Sequence, residues 1–144
     1  MKPLINYDFF STYIKGNKSK KYILLKGLIE SKDVNTLKFL LDKKDEIEFI
    51  SKFAGDTLLH HACYVGYIEM VRLLLKYNVV DINELDYVLR TPLHTAIKFG
   101  HTNITDYLIS KGADTSIRDI KSTIPLRSAI ERRSGKIIEL LVKK

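Results

Sequence analysis

One segment occurs in this chain three times over. DTLLHHACYVGYIEMVRLLL, beginning at Asp56, aligns with RTPLHTAIKFGHTNITDYLI, beginning at Arg90, with a spacing of 34 residues. Thr57 then matches Thr91, Leu59 Leu93, His60 His94, Ala62 Ala96, Gly66 Gly100 and Leu74 Leu108. TIPLRSAIERRSGKIIELLV repeats the pattern 33 residues further on, keeping Ile124, Pro125, Leu126, Ala129, Ile137 and Leu141 in register. The one-residue difference is assigned to the loop Tyr77-Asn78-Val79-Val80. Upstream, YILLKGLIESKDVNTLKFLL is a degenerate first copy, placing Leu25 and Leu28 at 34 residues before Leu59 and Ala62. Such short copies cannot each enclose a core; neighbours must cover one another in a quasi-one-dimensional stack.

Each copy reads as two short helices and a turn. The Thr91 hydroxyl is suited to accept from a free amide of the first helical turn, and Pro92 behind it loses nothing where no amide partner exists. Gly66 and Gly100 close the first helices, because a left-handed C-terminal residue costs glycine least. Asn78 and Gly112 end the second helices. Met70, Val71, Leu74 and Leu75, then Ile137, Ile138, Leu141 and Val142, recur at helical spacing and predict faces turned to a neighbour. Helices shorter than about 12–15 residues barely form alone, so stacking must stabilise them. Ala62, Ala96 and Ala129 allow the two helix layers to approach closely.

The Thr-Pro-Leu-His-x-Ala run of TPLHTA, with the following GH and KGAD, resembles the ankyrin repeat over nearly the whole chain after about residue 20. The resemblance implies an all-α solenoid of stacked helix-turn-helix units joined by short hairpin-like turns. Its units would span about 21–53, 54–87, 88–120 and 121–144, after an N-terminal capping helix and basic linker at 1–20. Ile5, Phe9 and Tyr13, beside Phe10 and Ile14, fall at helical spacing and predict an apolar-faced helix there, a lid on the first unit or a docking helix for a partner. The resemblance makes His60 and His94 structural, securing one unit to the next. Lys26 and Arg127 stand in that place in the outer units. Leu89 replaces the turn glycine represented by Gly55, which predicts a tip that avoids the left-handed conformation and is reshaped.

His60-His61-x-Cys63 looks like a metal or nucleophile site, but the repeat accounts for it: His60 is a repeat position, His61 corresponds to Thr95 and Cys63 to Ile97. Zinc requires three or four ligands in tetrahedral array, and only His60 and Cys63 share a helical face. A Cys-His nucleophile requires a pocket that favours the thiolate. Asp45, Glu46 and Glu48 fall in a connecting segment rather than a cleft that shifts a pKa. The glycines are dispersed, with no phosphate-cradling loop. The reading is a non-enzyme with no cofactor and no metal.

Function is then a matter of surface. By the resemblance, binding uses the turn tips and the exposed side of the first helices. Those residues are Phe53, Ala54, Asp56, Tyr64 and Val65; Tyr87, Val88, Arg90, Lys98 and Phe99; and Ile120, Lys121, Thr123, Glu131 and Arg132. Aromatic rings with arginine have the composition of interaction hot spots, which singles out Phe53, Tyr64, Tyr87, Arg90 and Phe99. The expected function is a protein-protein interaction module that acts by occupancy, recruiting or blocking a regulatory protein. Abundant lysine, isoleucine, asparagine and tyrosine resemble ankyrin proteins of large DNA viruses such as poxviruses, or of intracellular bacteria, and imply a host protein as target. The net charge of +7 is concentrated at the two ends and reads as solubilising caps; the alternative is a basic-surface binder of nucleic acid or another polyanion. A lone cysteine favours a reducing compartment, cytoplasm or nucleus. No secretory signal is evident, and no run reaches the roughly 18 apolar residues of a membrane span, so a monomer away from the membrane is expected.

Overall fold

Helices begin in this chain where a side-chain oxygen can reach a free amide. Asn17, Asp33, Thr57, Thr91 and Ser134 each accept from an amide three residues on, and Pro92 and Pro125 occupy first-turn positions. The computed structural model describes residues 16–45 and 48–143. The resulting pairs are α1 (Lys18–Glu30) with α2 (Val34–Asp42), and α3 (Leu58–Val65) with α4 (Ile68–Lys76). They continue with α5 (Pro92–Lys98) and α6 (Thr102–Ser110), then α7 (Pro125–Arg132) and α8 (Gly135–Val142). A hairpin of two-residue strands, β1 (Lys52–Phe53) with β2 (Asp56–Thr57), forms the turn tip of the second unit, pairing Lys52 with Thr57 and Phe53 with Asp56.

The helices pile in two rows. The first helices of successive units pack in order, α1 on α3 on α5 on α7, and the second helices likewise, α2 on α4 on α6 on α8. Leu25, Leu59 and Leu93, the same repeat position, are wholly buried between the rows, as are Ala62, Ala96 and Ala129. Burying a leucine contributes about 1.5–3 kcal/mol, a gain each unit obtains only from its neighbour.

Two sequence expectations change here. The predicted N-terminal helix lies outside the described residues, but the end of the basic linker that should follow it, Lys18 to Lys20, is instead the first turn of α1, which starts at Lys18. Lys21 is buried, and its Nζ donates to the Glu48 carbonyl at 3.1 Å. A helix start at Asn17 explains this: its carboxamide accepts from the Lys20 amide at 2.9 Å.

Leu89 does adopt the left-handed conformation, with φ 60°, as does Ser122 at the same place in the fourth unit, with φ 61°. The tip is reshaped nonetheless. Ala54 and Gly55 make the second unit's turn from two consecutive left-handed residues. In the third unit the Asp86 carboxylate takes over, accepting from the amides of Val88 at 3.0 Å and Arg90 at 2.9 Å. Asp119 does the same for Lys121 and Thr123, both at 2.9 Å. These bonds hold the chain in a shape that leucine alone resists by about 1–2 kcal/mol. Leu89 is 45% exposed, so Leu89→Gly removes strain at modest packing cost. After the added unfolded-state entropy of glycine, a net gain of about 0.5–1 kcal/mol is expected in urea denaturation. A loss of stability would show that the side chain contributes more than its backbone strain takes away.

The extra residue of the longer spacing sits where assigned. Asp81 and Asp114 form equivalent turns, accepting from the amides of Asn83 and Ser116, each at 2.8 Å, so the added residue lies between Asn78 and Asp81.

Candidate functional site

At the histidine position each unit reaches to its successor. His60 Nε2 lies 2.6 Å from the Arg90 carbonyl, and His94 Nε2 2.9 Å from the Thr123 carbonyl. Because a carbonyl only accepts, Nε2 must carry the proton in both rings, which makes Nδ1 an acceptor. Nδ1 of His94 accordingly takes the Thr91 hydroxyl at 2.8 Å and the Thr91 amide at 3.1 Å, while the Thr57 hydroxyl lies 2.5 Å from Nδ1 of His60. One ring thus closes the start of its own helix and bonds to the next turn. Lys26 makes the same junction with different chemistry: its ammonium bonds the Asp56 carboxylate at 3.0 Å, and Asp56 is the repeat equivalent of Arg90. The departure at Lys26 is therefore a working substitute.

The histidine-cysteine cluster is structural. Burial holds the His60 ring below its ordinary pKa near 6.5, outweighing the pull of the Arg90 carbonyl. Burial and then the Lys26 charge lower His61, although Glu30 Oε1 lies 2.9 Å from its Nε2. Cys63 is fully buried, and burial together with the Glu84 carboxylate pushes its thiol far above the usual range, which disfavours the thiolate. Among the described residues no group of three or more His, Cys, Asp or Glu could hold a metal ion.

Most of the sequence-selected surface residues do share one face. Between the third and fourth turn tips, a groove of about 570 Å³ is lined by Tyr87, Val88, Arg90, Lys98, Ile120, Lys121 and Arg132, with His94 and Thr123 among its walls. The tips are joined by the Ile120 amide donating to the Val88 carbonyl at 3.0 Å. Tyr87 is 72% exposed. Phe99 meets the Tyr64 ring edge-on at 4.7 Å, and Phe53 stacks on Tyr22 at 6.3 Å, so these rings are exposed yet fixed by a neighbouring unit.

Three residues serve the stack as well as, or rather than, the surface. Asp56 is held by Lys26. Arg132 donates to the Lys98 carbonyl at 2.8 Å and lies over Gly100, closing the end of α5 while lining the groove. Val65 packs half-buried against the core, because its place at the end of α3 turns it inward. Arg90 is anchored by Asp86, its Nε at 3.0 Å. Burial works against the Asp86 charge, but the Arg90 and Val88 amides and the Arg90 guanidinium prevail and hold its pKa below the ordinary value.

Glu84 escaped the sequence reading. It is buried, its Oε1 has no hydrogen-bond partner, and burial raises its pKa to about 7 against the partial help of Thr57. The repeat register carried the signal, since Ile50 and Ile117 occupy the equivalent positions.

The family model described as ankyrin repeats (3 copies) matches residues 25–119 and again 90–144. The chain is an ankyrin-repeat protein. Ankyrin repeats generally mediate protein-protein interaction and are typically non-catalytic. Among similar proteins, mouse protein phosphatase 1 regulatory subunit 27 is 36% identical over 61% of this chain and 56% of its own length. The ankyrin repeat protein YahD of Escherichia coli (strain K12) is 29% identical over 76% of this chain and 57% of its own. The Drosophila melanogaster transient receptor potential cation channel subfamily A member 1 is 33% identical over 60% of this chain but 8% of its own. The ankyrin match thus spans from under a tenth to little more than half of these relatives.

Proposed function

We propose that this ankyrin-repeat protein captures a regulatory protein of a host cell on its turn tips and inner helices, and recruits or blocks it by occupancy. The observation that carries the reading is the groove between the third and fourth tips, where exposed Tyr87 and Ile120 stand beside Lys98, Lys121 and Arg132 on a frame of fixed turns. A rigid surface loses little ordering entropy on binding. The relative named as a phosphatase regulatory subunit supports a regulatory partner, and a lone buried cysteine is compatible with the cytoplasm.

Affinity capture from a host-cell lysate, quantified for the native chain and for Tyr87→Ala and Phe99→Ala, tests it. Tyr87→Ala should leave the urea midpoint within about 0.5 kcal/mol of native, because the side chain is exposed, yet weaken capture of the true partner at least about tenfold. Unchanged capture by both variants sinks the reading. If the chain instead binds DNA or RNA of many sequences with affinity that falls steeply as salt rises, the basic groove serves polyanions.

A further inference from the structure

The extra residue that follows α4 has a structural consequence of its own. The chain from Asn78 through Val80 and Asp81 to Ile82 forms one wall of a groove of about 750 Å³, with Leu75 and Arg72 of α4 and Tyr107 of α6 making the rest. This groove shares no residue with the one between the turn tips. It lies between the second and third units, each of which has a described unit on both sides.

Three cations, Arg72, Lys76 and Lys111, line it against one carboxylate, Asp81, whose Oδ1 already accepts from the Asn83 amide at 2.8 Å. Arg72 and Lys111 come from different units and converge on the Tyr107 ring, 5.3 Å and 5.7 Å from its centroid. Among the described residues none of the three forms an ion pair. The repeat does not dictate these charges. One unit later the places of Arg72 and Lys76 are taken by Asp106 and Ser110; one unit earlier they are Lys38 and Asp42, and there the Tyr77 hydroxyl donates to the Asp42 carboxylate. A concave site lined by one sign of charge concentrates its field on a ligand of the opposite sign. The wall of Leu75, Val80 and Ile82 sets a second requirement, because only apolar groups laid on it gain by displacing water. Carboxylates interspersed with aliphatic side chains are peptide chemistry, whereas phosphate or nucleic acid supplies the charge alone.

We propose that this groove binds a short acidic segment of a partner protein. Its carboxylates meet Arg72, Lys76 and Lys111, and its aliphatic side chains lie on Leu75, Val80 and Ile82. The site is separate from the turn-tip groove, so either can fail without the other.

Methyl NMR titration of the full chain tests the proposal with three short peptides as probes, in which glutamate alternates with leucine, lysine with leucine, and glutamate with serine. The glutamate-leucine peptide should shift the Leu75, Val80 and Ile82 methyl signals and bind at least about tenfold more tightly than either of the others. Arg72→Glu, at an exposed position within α4, should keep the native melting curve and weaken binding at least about tenfold. Lys136→Glu makes the same kind of charge change on α8 and should weaken binding less than about twofold, while Tyr87→Ala should leave it unchanged. Binding of the glutamate-leucine peptide no tighter than that of either control, shifts confined to the turn-tip groove, or equal losses from Arg72→Glu and Lys136→Glu would each overturn the proposal. So would inorganic phosphate that shifts the same methyl signals and displaces the peptide at equal concentration, which would assign the groove to a small anion.

Discussion

Glu84→Gln should melt on the order of 10 °C higher than the native chain near pH 8, an advantage that disappears below pH 4.5. The native carboxyl has an ordinary pKa of 4.5 and a folded value of about 7. A group whose pKa rises on folding is most compatible with the fold below its unfolded value, and its burden appears as the pH rises through the folded one. Between those limits the fold must take up a proton, and above the upper one the ionised carboxylate is buried with Oε1 unpartnered, a cost that grows to about 3 kcal/mol. Glutamine keeps the shape without the charge, and Glu84→Ile restores the residue type at Ile50 and Ile117, so both should stabilise at high pH. His60 and His61 tilt the profile the other way. Their folded pKa values lie below 6.5, so the stability they confer is complete above 6.5 and declines as the pH falls beneath it. The two windows overlap below pH 6.5, so the native curve should turn over within that overlap, while Glu84→Gln stays level down to about pH 6.5 before falling. Urea midpoints across this range decide; a variant curve parallel to the native one at every pH would show that Glu84 is not the titrating group.

His94→Ala should cost about 3–4 kcal/mol, among the largest effects of any single polar substitution in the stack. It removes the acceptor for the Thr91 amide and hydroxyl, leaves the Thr123 carbonyl without its donor, and opens a void at a buried site. The loss should be directional. α7 and α8 pack on α5 and α6, so weakening this junction should speed hydrogen exchange in residues 125–142 well before residues 58–76. Arg127→Ala, the same repeat position with no described unit beyond it, should cost less than about 0.5 kcal/mol. Equal losses at the two positions would mean that the residue type, and not the junction, carries the energy.

Legibility varied along the chain for reasons visible in particular residues. The second and third units were readable nearly to the residue, because Thr91, Pro92 and Gly100 declare a cap, a first turn and a stop through local backbone chemistry alone. Lys26 was harder to read: its counterpart Asp56 lies 30 residues away, and only packing brings a cation and a carboxylate to the junction that histidine and carbonyl make elsewhere. Exposure was legible where the repeat holds, at Tyr87 on a turn tip and Phe99 at the end of a first helix, yet sequence did not separate Val65, half-buried at a helix end. Leu89 misled because a propensity belongs to an isolated residue, and Asp86 holds the whole loop.

By itself, then, the sequence determined the period, the helix limits and the residues that must be covered, because caps, glycines and apolar spacing act over one or two helical turns. Tertiary structure alone decided which polar groups meet across units and that a carboxyl is buried at Glu84. Those properties depend on what lies opposite a side chain, and the neighbour is set by stacking rather than by adjacency along the chain.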